Sequence, residues 1–136
     1  MEVTLALLAD AANISQEGKL NVLGVFNSIN AVSFPCIHPS MVVVMRFEAS
    51  RAEIGQTKEF EIHLLDPDGA SLGNVAGNFV VPDAPPGQRV QMGNILPLNG
   101  VTFQRPGPHQ FVILISAETK AEVPITITEY EAQEGG

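Results

Sequence analysis

The chain has 136 residues, 45% of them hydrophobic and 16% charged, with 15 acidic against seven basic side chains for a net charge of −8. That length is one domain's worth and buries a core without disulfides or a structural metal. Lys19, Arg46, Arg51, Lys58, Arg89, Arg105 and Lys120 are dispersed along the chain, so neither nucleic acid nor an anionic membrane surface is an expected partner.

Val3 to Ala12 has the apolar character of a short export signal, but Glu2 stands where a basic segment belongs and Asp10 interrupts the run, so no cleaved signal is expected. Val3, Leu5, Leu7 and Ala9 share one face of a first strand, and Leu8 makes the other face partly apolar. Asn13 to Gly18 breaks the run with turn residues; a single helical turn through Ala11 to Glu17 is too short to stand alone. Lys19 to Phe26 resumes extended structure and is expected to pair with the first strand. Asn27 to Ser40 reads as a polar connection that crosses between sheets, kept extended by Pro35 and Pro39. Cys36, within it, is the only cysteine, so no internal disulfide is possible and a cytoplasmic address is expected.

Met41 to Glu48 is solid with valine before it alternates, which predicts a strand buried on both faces at its start. Ala49 to Thr57 is a loop, since Gly55 ends any helix that Ala49 and Ala52 begin. Lys58 to Leu65 alternates, with Phe60, Ile62 and Leu64 inward and Glu59, Glu61 and His63 outward. Asp66, Pro67, Asp68 and Gly69 carry turn chemistry: proline presets φ, aspartate bonds local amides, glycine accepts positive φ. Leu72 to Val81 is the returning strand, bent where Gly73 and Gly77 lack side chains. Pro82 to Gly87 is a loop, Arg89 to Ile95 a strand and Leu96 to Asn99 a short corner.

The closing hairpin runs from Phe103 to Thr128. Phe111 to Ile115 is apolar on both faces and is expected at the centre of a sheet; Val123, Ile125 and Ile127 alternate with Pro124, Thr126 and Thr128, and Pro124 suits a sheet edge or a strand start. No helix of useful length, no repeat and no low-complexity tract intervene. The fold class this predicts is all-β, a two-layer antiparallel β-sandwich of about eight strands occupying residues 1–130, with 131–136 a flexible acidic C-terminal tail.

The stretch Phe103, Arg105, Pro106, Gly107, His109, Phe111, Ile113, Ile115 resembles the last two strands of immunoglobulin-like and fibronectin-type sandwiches, with His109 where many such domains place a corner tyrosine. Over nearly the full length, Leu8–Ala12, Gly18–Gly24, Phe34–Pro35, Asp66–Gly69 and Pro124–Ile125 resemble an uncharacterised bacterial family of single-domain β-sandwich proteins, a domain of unknown function. The resemblance implies a bacterial protein and carries no catalytic residue.

Each group that would carry chemistry has a plainer reading. Asp66, Asp68 and Asp83 lie near turns, and end loops of sandwiches gather carboxylates around Ca²⁺, yet the first two also build a β-turn unaided. Cys36 and His38, with His63 or His109, do not count to a closed zinc set, and Cys36 with His63 as base has no third orienting residue. Glu59 and Glu61 on one face read as a solvated surface near Arg46 or Lys58. No phosphate-binding glycine loop or nucleophile elbow is present, and with no Trp and a single Tyr130 there is little to stack sugars. No catalytic residue, metal or cofactor is therefore expected. Two function classes remain: a non-enzymatic protein–protein interaction or assembly module using edge strands or end loops, with Met41, Met45 and Met92 as an adaptable surface; or a small-ligand, carbohydrate or Ca²⁺-binding sandwich whose mouth is formed by Asp66–Gly69 and Pro82–Gly87.

Overall fold

The computed structural model describes residues 1–130; the predicted tail lies outside the described residues. Among the described residues nine strands form two sheets: β1 (Glu2–Ile14), β2 (Leu20–Phe26), β3 (Ser28–Ala31), β4 (Cys36–Ala49), β5 (Thr57–Leu65), β6 (Ser71–Val80), β7 (Val90–Phe103), β8 (Gly107–Ile115) and β9 (Glu118–Glu129). One sheet has the order β2-β1-β4-β7 and the other β3-β9-β8-β5-β6. A 3-10 turn, Arg51–Glu53, sits between β4 and β5. Among the described residues there is no α-helix.

The two-residue period places the core. Met41, Met45 and Phe47 from the four-stranded sheet meet Ile62, Phe111, Ile113 and Ile125 from the five-stranded one, all buried in a common cluster. Phe47 stacks on Phe79 with ring centroids 5.2 Å apart, which ties β4 to β6 across the two layers. Each side chain of this size removes enough apolar surface from water to contribute about 1.5–3 kcal/mol.

The outer face of the four-stranded sheet is also covered over part of its area. Val44 and Ala9, which point away from the shared core, have no exposed surface. A side chain at Gly93 of β7 would place its Cβ 2.8 Å from Leu20 Cδ2 and 3.4 Å from Ile14 Cδ1. The β1–β2 end therefore reaches over to β7, and the sheet curls into a half-barrel.

Several expectations need correcting. The sheets are not purely antiparallel: β3 runs parallel to the end of β9, with Ser28 opposite Thr126 and Ala31 opposite Glu129. The supposed connection Asn27–Ser40 contains β3 and the first five residues of β4, and Leu96–Asn99 is not a corner but the middle of β7. The missed start of β4 and the misread middle of β7 share a cause at Pro39 and Gly100. Inward positions fall at Met41 and Leu98 on one side of that pair, and at Val101 and Phe103 on the other, so the alternation inverts. Gly100 permits the inversion at φ +67°.

The closing strand is not a simple edge either. β9 lies between β8 and β3, but β3 reaches only residues 126–129, so Pro124 falls where no ladder bond is required of it.

The N-terminus is clasped by Glu53. Its Oε1 accepts from the Ser50 amide at 2.9 Å and lies 3.3 Å from the Met1 ammonium, and its Oε2 lies 3.0 Å from Lys58 Nζ. The Ser50 amide first, and Lys58 next, hold the carboxyl down from its ordinary 4.5 to about 2. A depressed folded-state value means that the stabilisation is complete above about 4.5 and disappears as pH falls toward about 2. Solvent screening limits the contribution to about 1 kcal/mol. Glu53→Gln is expected to lower the urea midpoint at pH 7 and to leave it unchanged at the acid end of that window; equal losses at both would contradict the assignment.

Candidate functional site

Four edges border the two sheets, and β6 and β7 lie on the same side, joined by residues 81–89. Between them opens a groove of about 380 Å³. Its floor is core: Ile62, Leu64 and Phe111. Its walls are consecutive residues, 72–75 of β6 and 98–102 of β7, so strand backbone as well as one face borders the space.

The groove exists because glycine occupies an inward position in β6. Leu64 faces Gly73, Ile62 faces Val75 and Phe60 faces Gly77, which makes all three β6 residues inward. At Gly77 the gap is filled by the Phe60 ring, 2.8 Å from where a Cβ would lie, whereas at Gly73 nothing lies within 4 Å. Farther along, Phe79 packs on Phe47 and Phe60 and closes the space. The opening is thus confined to the end near Gly73 and Gly100. Leu72 is 38% exposed and Val75 36% at its rim.

Pro97 sets the direction of the β7 backbone. A proline fits a strand where its missing N–H points away from the ladder, so residues 97 and 99 turn their backbone groups to the outer edge, and beyond the inversion at Gly100 residue 102 does so in place of 101. Among the described residues no strand pairs with that edge. The ten residues of β6 and the fourteen of β7 include no charged side chain. Apart from Pro97 and the break at Gly100, the edge lacks the usual guards against strand addition.

The residues weighed above as carriers of chemistry do not converge. Asp66 and Asp83 lie at opposite ends of β6, about 30 Å apart along the strand, so the loops Asp66–Gly69 and Pro82–Gly87 form no common mouth. Asp66 instead builds the turn: its Oδ1 accepts from the amides of Asp68 and Ala70, both at 2.9 Å. The Ala70 amide leads in holding its pKa below the usual carboxylate range, with Asp68, Arg105 and His109 adding to it. Arg105 lies 2.6 Å from Asp68 Oδ2 and 3.6 Å from Asp66 Oδ2, which raises the guanidinium pKa. These contacts use the turn's carboxylates to fasten β5–β6 to the start of β8.

Cys36 sits opposite Phe103 on the four-stranded sheet, whereas His63 faces outward from the five-stranded one with Glu61 3.9 Å away. His38 packs near Phe26, and His109 is buried against Phe103 in an edge-on contact at 5.2 Å. Among the described residues no three metal-binding side chains cluster. His109 Nδ1 lies 3.0 Å from the Gly107 carbonyl oxygen, the tie-down role of a corner residue, while its Nε2 is buried without a partner. Neither Arg46 nor Lys58 neutralises Glu59 or Glu61: Arg46 donates to Thr4 Oγ1 and Lys58 pairs with Glu53.

The methionine surface is likewise corrected. Met41 and Met45 are fully buried and Met92 is half-buried against the core, because all three fall on inward positions of β4 and β7. The groove escapes a reading of the sequence for the opposite reason. Gly73 reads there as a bend, yet its inward register shows it as a gap.

No curated protein matches the chain. Among solved structures it is similar to the Pseudomonas fluorescens alkylpurine DNA glycosylase AlkC bound to DNA containing an abasic site analog, at 12% identity and a TM-score of 0.43. The match covers 74% of this chain and 27% of that one, so the chain spans about a quarter of its length. No helix among the described residues is long and apolar enough to cross a membrane. The model of the family of unknown function DUF6941 matches residues 4–128, nearly all of the chain, and the protein belongs to that family.

Proposed function

We propose that the protein is a non-enzymatic protein–protein interaction module on an immunoglobulin-like scaffold, working through the open β6–β7 side of the sandwich. The strand order supports the scaffold. If β1, β4 and β7 stand for strands A, B and E, and β5, β6, β8 and β9 for C, C′, F and G, the pairings β1-β4-β7 and β9-β8-β5-β6 follow the immunoglobulin pattern. The observation that carries the function is the coincidence of an apolar groove with an unpaired, uncharged strand edge. Main-chain hydrogen bonding at such an edge supplies affinity, and a pocket for alternate side chains supplies selectivity. A bacterial, cytoplasmic setting agrees with a single cysteine and no disulfide.

Selection from a displayed library of random linear peptides tests the reading. Binders are expected whose affinity falls about tenfold or more when Leu72 at the groove rim is replaced by lysine. A library that yields no binder, or binders indifferent to Leu72→Lys, would count against it.

A further inference from the structure

The occupant of the groove is narrowed by what the edge lacks. In immunoglobulin-type sheets strand D, which precedes E in the chain, pairs with the outer edge of E. Here the corresponding stretch, residues 81–89, is held as a loop instead. Arg51 donates from Nη2 to the Ala84 carbonyl at 3.0 Å and from Nη1 to the Gln88 carbonyl at 3.2 Å. The Gly55 amide donates to the Val81 carbonyl at 3.0 Å, which fixes where the loop leaves β6. The chain's own connection is strapped away from the edge it would cover.

Charge narrows the occupant again. The protein carries a net charge of −8, yet its charged residues are kept out of β6 and β7 altogether. A charged side chain over Ile62, Leu64 and Phe111 would be desolvated with no counter-charge to meet it. A neutral strand with apolar side chains at every second position meets no such cost. Its inward side chains would rest on the core floor in the space left open over Gly73.

Resting on the interaction-module reading above, we propose that the β6–β7 groove accepts a neutral, extended polypeptide segment with apolar residues at alternate positions, added as a further strand to the outer edge of β7. The segment hydrogen-bonds to the outward backbone groups of Pro97 and Asn99 and seats two successive inward side chains between Gly73 and Leu98.

The test uses the full chain labelled with ¹⁵N and a capped peptide of about ten residues alternating valine with threonine, flanked by single lysines for solubility. Two controls have the same composition in non-alternating order, and the same alternation with glutamate at the valine positions. The expected result is saturable amide shifts at Gly73–Val75 and Leu98–Thr102 with the alternating peptide only, and affinity about tenfold weaker in Gly73→Leu. Gly73 has an ordinary φ and open space at its Cβ position, so this variant fills the groove without disturbing the fold. Equal binding by Gly73→Leu, equal binding of the three peptides, or shifts confined to β2 would overturn the proposal. If displayed peptides bind in a Leu72-dependent manner while the alternating peptide does not, the module reading survives and this assignment of its ligand fails.

Discussion

Phe47→Ala is expected to cost about 3–5 kcal/mol of folding stability, the range for deleting a large buried aromatic side chain. Phe47 has no exposed surface, belongs to the core cluster that both sheets share, and stacks at 5.2 Å on Phe79 of the opposite layer. Its removal leaves a cavity with sheet backbone on two sides, which cannot collapse as a loop would. A domain of this size has about 5–15 kcal/mol in total, so the variant should be folded but marginal, with a urea midpoint well below the parent's. A double-mutant cycle with Phe79→Ala should return a coupling of about 0.5–1.5 kcal/mol for the ring pair. A loss below about 1 kcal/mol would mean that the two layers do not meet at this point.

Gly24→Ala should be the second largest loss, about 2–4 kcal/mol, and for two separable reasons. Gly24 has φ +74°, where an L side chain is strained. It also faces Asp10 across the β1–β2 ladder, between the pairs Ala9–Val25 and Ala11–Leu23. A Cβ there would run into the Asp10 carboxylate. Placing Gly24→Ala in an Asp10→Ala background removes the collision and leaves the backbone term, so the loss relative to Asp10→Ala should shrink to about 1–2 kcal/mol. Chemical denaturation of the four proteins measures both parts. An unchanged loss in the Asp10→Ala background would refute the collision.

The parts of the fold that follow a two-residue rhythm are legible in the sequence alone. Phe60, Ile62 and Leu64 announce β5, and Phe111, Ile113 and Ile115 announce an interior strand, because an apolar residue at every second position matches the pleat of a strand with a buried face. Asp66 to Gly69 announces its turn by side chains that bond their own backbone. What stays hidden is set by non-local pairing. Ser28–Ala31 is too short to carry a period, and is a strand only because the end of β9 lies alongside it. Pro97 and Gly100 read as breakers in isolation, yet β4 tolerates both by pairing with β7 along the whole of its length.

The site is hidden for a related reason. A groove is an absence of side chains on one face of one strand, and Gly73 signals it only once its register opposite Leu64 is known. Conversely, the residue types that draw attention in a sequence prove structural. Asp66 serves its turn, His109 its corner, and Met41 and Met45 the core. Polar residues spaced for chemistry and polar residues spaced for turns look alike until their side chains are placed.

Residue-resolved amide hydrogen exchange along β7, on the free monomer, most directly tests whether the site is an available strand edge. The account predicts a pattern that inverts at Gly100: Leu98 and Val101, bonded to β4, exchange slowly, while Asn99 and Thr102, turned to the open side, exchange at rates close to those of an unstructured chain. Uniform slow exchange through Leu98–Thr102 would mean the edge is already covered, and the proposed binding surface would not exist.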